Sequence, residues 1–187
     1  MKSRLSNSLA LVWRVADFEA RRLNSPLIEP LHLFLSLCKV VDLDLPELVS
    51  KDSPDRDEVL EELLREVRRI RGVFRAAGLD AKRVRRRLRK ASFELRPAPD
   101  DSEGLHRSPA ARLVFADAER LAKVDNSNIY PVHLLYASLI TSDEQRDATL
   151  AELNIDKKKL ANFAKVEMLT PQNGPPLGSK PAKARWN

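Results

Sequence analysis

Apolar residues recur at three- and four-residue steps along most of this chain, and prolines, glycines and short polar side chains cut the pattern into helices. In "SNSLALVWRVADFEARRLN", residues 6–24, Leu9, Val12, Ala16, Ala20 and Leu23 fall on one helical face. Ser6 precedes that face where an N-cap hydroxyl can accept from a free first-turn amide. A second helix opens at Pro30, whose missing N–H is harmless in a first turn, and continues through Leu33, Phe34, Leu37 and Cys38. "LDLPELVSKDSPD", residues 43–55, reads as a loop with one short turn. Ser53-Pro54 then opens a long charged helix with Val59, Leu60, Leu63, Leu64, Val67, Ile70, Val73, Phe74 and Ala77 as its buried stripe. Gly78 stops it, since glycine takes the left-handed conformation past a helix end. Asp80 caps the next helix, lined by Ala81, Val84, Leu88 and Ala91, and "ELRPAPDDSEGLH", residues 94–106, is a polar linker.

The pattern then restarts. Ser108-Pro109 opens a helix with Ala111, Val114, Phe115, Ala118 and Ala122 inward, and Pro131 opens another through Leu134, Leu135 and Leu139. Ser142 and Gln145 have capping-box spacing for a helix carrying Ala148, Leu150, Ala151 and Leu153. Asp156 caps a last helix with Leu160, Phe163, Ala164 and Met168. From Thr170 on, "TPQNGPPLGSKPAKARWN" carries four prolines and almost no apolar residues, which predicts an extended tail. The fold class is all-α.

The two halves align. Val12, Trp13, Ala16 and Ala20 match Val114, Phe115, Ala118 and Ala122 at an offset of 102. Ile28, Pro30, His32 and Leu33 match Ile129, Pro131, His133 and Leu134 at 101. Leu79-Asp80 matches Ile155-Asp156 at only 76, so the first copy carries 25 extra residues between its second and last helices. These boundaries give repeat one at 4–93, with an insertion at about 39–63 that lengthens a helix, and repeat two at 105–168. Together they form one domain over 1–168, and 169–187 is a proline-rich tail or linker. Neither unit could bury its apolar face alone, so packing about a pseudo-twofold axis is expected.

Composition narrows the function classes. The chain has 187 residues, enough for a real core without disulfides or metals, and its single cysteine, Cys38, suits a reducing compartment. No run approaches the 18 or so apolar residues of a membrane span. "MKSRLSNSLALVW" lacks a signal peptide's uninterrupted apolar core, so the expected location is cytoplasmic. The formal charge is +6, with seven basic side chains concentrated in "KRVRRRLRK", residues 82–90. On a helix Arg83, Arg86, Arg87 and Lys90 share one solvated side. Such a face could neutralise phosphates or dock an acidic protein, and Glu58, Glu61, Glu62 and Glu66 are available to offset part of it. No recognition-helix signature, RNA-binding aromatic pair or glycine-rich clamp accompanies it, which leaves nucleic acid the weakest of these partners.

The ordered set of residues in "RLSNSLALVWRVADFEARRLNSPLIEPLHLFLSL" resembles the repeat of the Clp amino-terminal domain: a capping Ser/Thr, an Ala-x-x-x-Ala helix, a turn, then Ile and a His-Leu helix start. "RSPAARLVFADAERLAKVDNSNIYPVHLLYASL" is similar to the second repeat. The resemblance implies a compact non-catalytic domain in front of an AAA+ protein unfoldase or disaggregase ring. There it would dock adaptors or unfolded protein segments. None of the five glycines precedes a lysine, so no phosphate loop is readable, and no cofactor is expected. Family repeats carry Gly-Thr-Glu before the histidine, acidic residues that in one branch help read phosphoarginine. Here Glu29-Pro30-Leu31 and Tyr130-Pro131-Val132 stand instead, and neither Leu31 nor Val132 can pair with a guanidinium. An apolar ligand fits better, with Ser6, Leu31 and Val132 as the candidate protein-binding residues. The alternative is a stand-alone repeat protein that binds nucleic acid or acidic protein through the 82–90 helix.

Three features favour plain structural roles. His32 and His133 have no Cys, His or Asp at ligand spacing, so each is expected to satisfy groups at its own helix start. Cys38 lies on an apolar stripe with no base nearby, which predicts an inert thiol. Trp13 and Phe18 flank the inward face of the first helix, where inter-repeat packing or a peptide groove could use them.

Overall fold

The computed structural model describes residues 5–92, 105–124 and 127–170. Among them the chain forms α1 (Asn7–Arg22), α2 (Pro30–Val40), α3 (Leu45–Leu48), α4 (Arg56–Ala76) and α5 (Ala81–Ser92) in the first half. The second half holds α6 (Pro109–Val124), α7 (Pro131–Ile140), α8 (Glu144–Glu152) and α9 (Lys157–Leu169). No strand occurs among the described residues, only two isolated bridges. The expected linker and tail fall largely on 93–104 and 171–187, outside the described residues.

Local chemistry accounts for the helix ends. Ser6 and Ser108 each accept from the amide three residues on, Leu9 and Ala111, at 3.1 Å. Asp80 accepts from the Arg83 amide, and Asp156 from those of Lys158 and Lys159. Gly78 at φ 70° and Asn154 at φ 56° are the left-handed residues after α4 and α8. In both cases the next amide returns to a carbonyl five residues back: Leu79 to Phe74 and Ile155 to Leu150, each at 2.8 Å. Two starts differ from the sequence expectation. Asp55 rather than Ser53 is the N-cap residue of α4. Asp143 caps α8 through the Arg146 amide at 2.9 Å, leaving Ser142 outside. A carboxylate answers the positive end of a helix more strongly than a hydroxyl does.

The halves are joined by the segments that precede four of the helices. Leu5 bridges Ile129, and Ile28 bridges Arg107, both in parallel. These bridges are each other's counterparts under the repeat offsets: what half one gives to half two, half two returns. The Ser6 amide donates to the Ile129 carbonyl at 3.3 Å, and its counterpart, the Ser108 amide, donates to Ile28 at 3.0 Å. An approximate dyad therefore runs through the seam, with α2 and α7 packed together near its centre. Those two helices are buried nearly all round; every residue from Pro30 to Cys38 is buried. Across the dyad α4 packs on α9 and α5 on α8, which closes the domain. The symmetry breaks at one place. α4 has 21 residues where α8 has 9, and its first three turns reach back over α1 and α7.

Candidate functional site

At the seam two aromatic counterparts meet. Trp13 of α1 and Phe115 of α6 touch edge to face, centroids 5.6 Å apart. That geometry sets a positive ring edge against a negative face. The Arg107 guanidinium lies over both rings, 5.7 Å from Trp13 and 4.9 Å from Phe115. Arg107 is exposed, and its counterpart Leu5 is an apolar residue left 48 % exposed. Trp13 is half-buried, while Phe18 on the outer side of α1 is 57 % exposed. Between the halves, half-buried Trp13 thus meets buried Phe115 under a stacked, exposed cation, and Leu5 is exposed at the counterpart position of that cation.

The two histidines are buried at the starts of α2 and α7. His32 Nδ1 accepts from the Glu29 amide at 2.9 Å, and His133 Nδ1 from the Tyr130 amide at 3.0 Å. An imidazole that accepts at Nδ1 carries its proton on Nε2. Burial pushes His32 down to about 4, with the Glu19 charge pulling the other way, so the ring is neutral near pH 7. Both imidazoles are helix-start caps, as the sequence spacing implied.

The three candidate binding residues lie elsewhere than the surface. Ser6 is buried, its hydroxyl taken up by Ile129 and Ser8 and by the Leu9 amide. Leu31 is 6 % exposed and Val132 fully buried, so both belong to the core beneath the seam. The physical reason is that α2 and α7 are central helices with no solvent face. The apolar residues at the seam that solvent reaches are Leu5 and Trp13, and the broken symmetry of Leu5 against Arg107 is the sequence signal that marks the spot.

The basic helix divides. Arg83, Arg86 and Lys90 are exposed and make no ion pair among the described residues, whereas Arg87 pairs with Glu152 of α8. Arg85 and Arg89 of the same run turn inward. Arg85 donates to Asp42 at 2.6 Å and to the Cys38 carbonyl at 3.1 Å; Arg89 Nε donates to the fully buried Glu19 at 2.8 Å. The α4 glutamates do not offset this helix. Glu62 goes to the start of α1, and Glu66, buried, pairs with Arg65 and Arg69. Burial raises the Glu66 carboxyl above its usual range, against the pull of those two guanidiniums. Arg69 also reaches Glu167 of α9 at 2.9 Å, tying α4 to the second half.

The Cys38 thiol is pushed up by complete burial and is protonated. No cluster of three or more His, Cys, Asp or Glu side chains able to hold a metal occurs among the described residues. No helix among them is long and apolar enough to cross a membrane.

The sequence matches no family model and no curated protein. Solved structures do match. A chain from a malarial protein secretion system superposes with a TM-score of 0.61 at 15 % identity, over 91 % of this chain and 99 % of that one. The amino-terminal domain of the caseinolytic-protease-associated chaperone ClpD from Arabidopsis thaliana gives 0.58 at 14 %, over 88 % and 94 %. The Hsp104 amino-terminal domain from Candida albicans gives 0.56 at 13 %, over 86 % and 89 %. Across nearly its whole described length, this chain has the all-α, internally duplicated fold of the Clp and Hsp104 amino-terminal domains.

Proposed function

We propose that this chain is a non-catalytic docking module that captures unfolded protein segments or an adaptor and works with an AAA+ protein unfoldase. The observation that carries the reading is the surface on the dyad: the Trp13–Phe115 pair, with Arg107 stacked above it and Leu5 exposed at the counterpart position of Arg107. Trp13, half-buried and braced by buried Phe115, offers apolar area at small entropic cost, and a stacked guanidinium can also bond peptide carbonyls. A surface this shallow gives weak, sequence-tolerant binding of an extended apolar segment. That suits a domain which must release its cargo.

The test is an anisotropy titration of a fluorescein-labelled, permanently unfolded protein, reduced and carboxymethylated α-lactalbumin. Wild type, Leu5→Asp and Trp13→Leu are compared, with circular dichroism confirming the fold. Saturable binding that both substitutions weaken by about tenfold or more supports the reading, since anchor residues at an interface centre carry this much affinity. Equal binding by all three proteins refutes it. A second reading rests on the exposed Arg83, Arg86 and Lys90, which make no ion pair among the described residues and fit an acidic protein segment bound in a strongly salt-dependent way.

A further inference from the structure

The dyad allows each surface of one half to be compared with its counterpart, and along α1 and α6 the counterparts diverge. Leu11 of α1 is 5 % exposed because α4 lies over it; Ser8, Leu11, Val12, Leu63, Val67 and Ile70 line the shared interior. The same contact carries charge. The Glu62 carboxylate of α4 accepts from the Ser8 amide at 3.0 Å, the Ser8 hydroxyl at 3.0 Å and the Asn7 side-chain amide at 2.9 Å. It thereby caps α1 from outside.

In the second half α6 carries Leu113 where α1 carries Leu11, and Leu113 is 64 % exposed. The short α8 packs on α5 and α9, and among the described residues no segment replaces the first three turns of α4. Val124, 80 % exposed, lies three turns further along the same face, and between them Asp117 and Arg120 pair at 2.9 Å. The start of α6 has no acidic residue in its first turn. Ala110, the counterpart of Ser8, is exposed, and no described side chain accepts from its amide. Exposed Arg107 and Arg112 flank it. This end of α6 is positive: Ser108 caps the Ala111 amide, but no carboxylate stands at the Ala110 amide as Glu62 stands at that of Ser8. Leu113 lies two residues from Phe115, about 200° around the helix, so this face is separate from the seam.

We propose that the outer face of α6, from Ala110 to Val124, docks an amphipathic helix of a partner protein built like the first three turns of α4. Such a helix has apolar residues at four-residue spacing, as Val59, Leu63 and Val67 are, and a carboxylate just before the middle one, as Glu62 is. The molecule already shows how that helix sits, because α4 makes this contact on α1. Charge favours it too: Asp57, Glu58, Glu61 and Glu62 crowd the start of α4, and the ground they would meet on α6 is cationic. The apolar residues settle over Leu113, and the carboxylate takes the Ala110 amide.

The probe is a labelled synthetic peptide with the sequence Asp55–Arg71, titrated into the intact 187-residue protein and followed by anisotropy and amide chemical shifts. The expected result is one saturable site, with shifts across Ala110–Val124. Leu113→Glu, at an exposed position where folding is preserved, weakens binding by about tenfold or more, and the peptide carrying Glu62→Gln binds several-fold more weakly. Trp13→Leu leaves binding unchanged, so failure here is distinguishable from failure of the seam reading. The proposal is overturned if Leu113→Glu binds the peptide as wild type does. Shifts confined to Asn7–Val12 also overturn it, since the peptide would then be displacing α4. So does self-association of the chain that Leu113→Glu abolishes, because the occupant would then be a second copy.

Discussion

Acidification should weaken this fold through one buried imidazole. His32 titrates near 6.5 in an unfolded chain, but burial holds it at about 4 in the folded one. Between those values the unfolded chain binds the extra proton and the folded chain does not. Stability is therefore fully present above about pH 6.5 and is lost as pH falls towards 4. A difference of roughly 2.5 units at about 1.4 kcal/mol each gives about 3 kcal/mol in all, of which about 2 kcal/mol is gone by pH 5. Structure supplies the reason: Nδ1 already accepts the Glu29 amide at 2.9 Å, so a proton there would set two donors against each other. The assay is urea unfolding from pH 7.5 to 5 for wild type and His32→Asn. The asparagine oxygen can take over the acceptor role without titrating, and subtracting the two curves cancels the carboxylates common to both. The stability of wild type relative to the variant should fall by about 2 kcal/mol across that range. A constant difference, or the His32 imidazole resonance itself titrating near 6.5 in the folded protein, refutes the reasoning.

Four further outcomes follow from the same packing. Arg146 is fully buried, bonded to the Ser138 and Thr141 carbonyls and to Asp147; Arg146→Ala should cost about 3–5 kcal/mol in urea melts. Gly78 has open space around it and φ 70°, so Gly78→Ala should cost about 1 kcal/mol from backbone strain alone, whereas Asn154→Gly should be neutral or slightly stabilising. Reversing Arg83, Arg86 and Lys90 to Glu together should change stability by less than about 1 kcal/mol while abolishing low-salt binding of polyglutamate. By contrast, Arg89→Glu, facing buried Glu19, should unfold the protein at ordinary urea concentrations.

The helix starts were readable because they rest on local chemistry. Pro30, Pro131, Ser6, Ser108, Asp80 and Asp156 each act within three residues of themselves. The duplication was readable because both copies write that chemistry in the same order. The candidate surface was not. Leu31 and Val132 stand where the family repeat carries polar residues, yet α2 and α7 are buried nearly all round, with His32, Ser36, His133 and Ser138 enclosed as well, and such helices lie at the centre. The buried charges escaped for a related reason. Glu19, Glu66, Arg85 and Arg146 are the residue types of a solvated face, and only their partners allow them inside: Arg89 of α5 for Glu19, Asp42 for Arg85, Arg65 and Arg69 of the same helix for Glu66, and Asp147 with two nearby carbonyls for Arg146. That α4 covers Leu11 while Leu113 stays open depends on where an inserted stretch folds back, which periodicity does not report.

Trp13 offers the most direct trial of the seam as the site of protein capture. With Trp186→Phe, Trp13 is the sole tryptophan of the chain, and its emission reports on the ground it shares with Phe115. Titration with unfolded carboxymethylated α-lactalbumin carrying no tryptophan of its own should shift that emission to the blue, saturating in step with the anisotropy. Tight binding that leaves Trp13 emission unmoved would place the contact elsewhere and contradict the account.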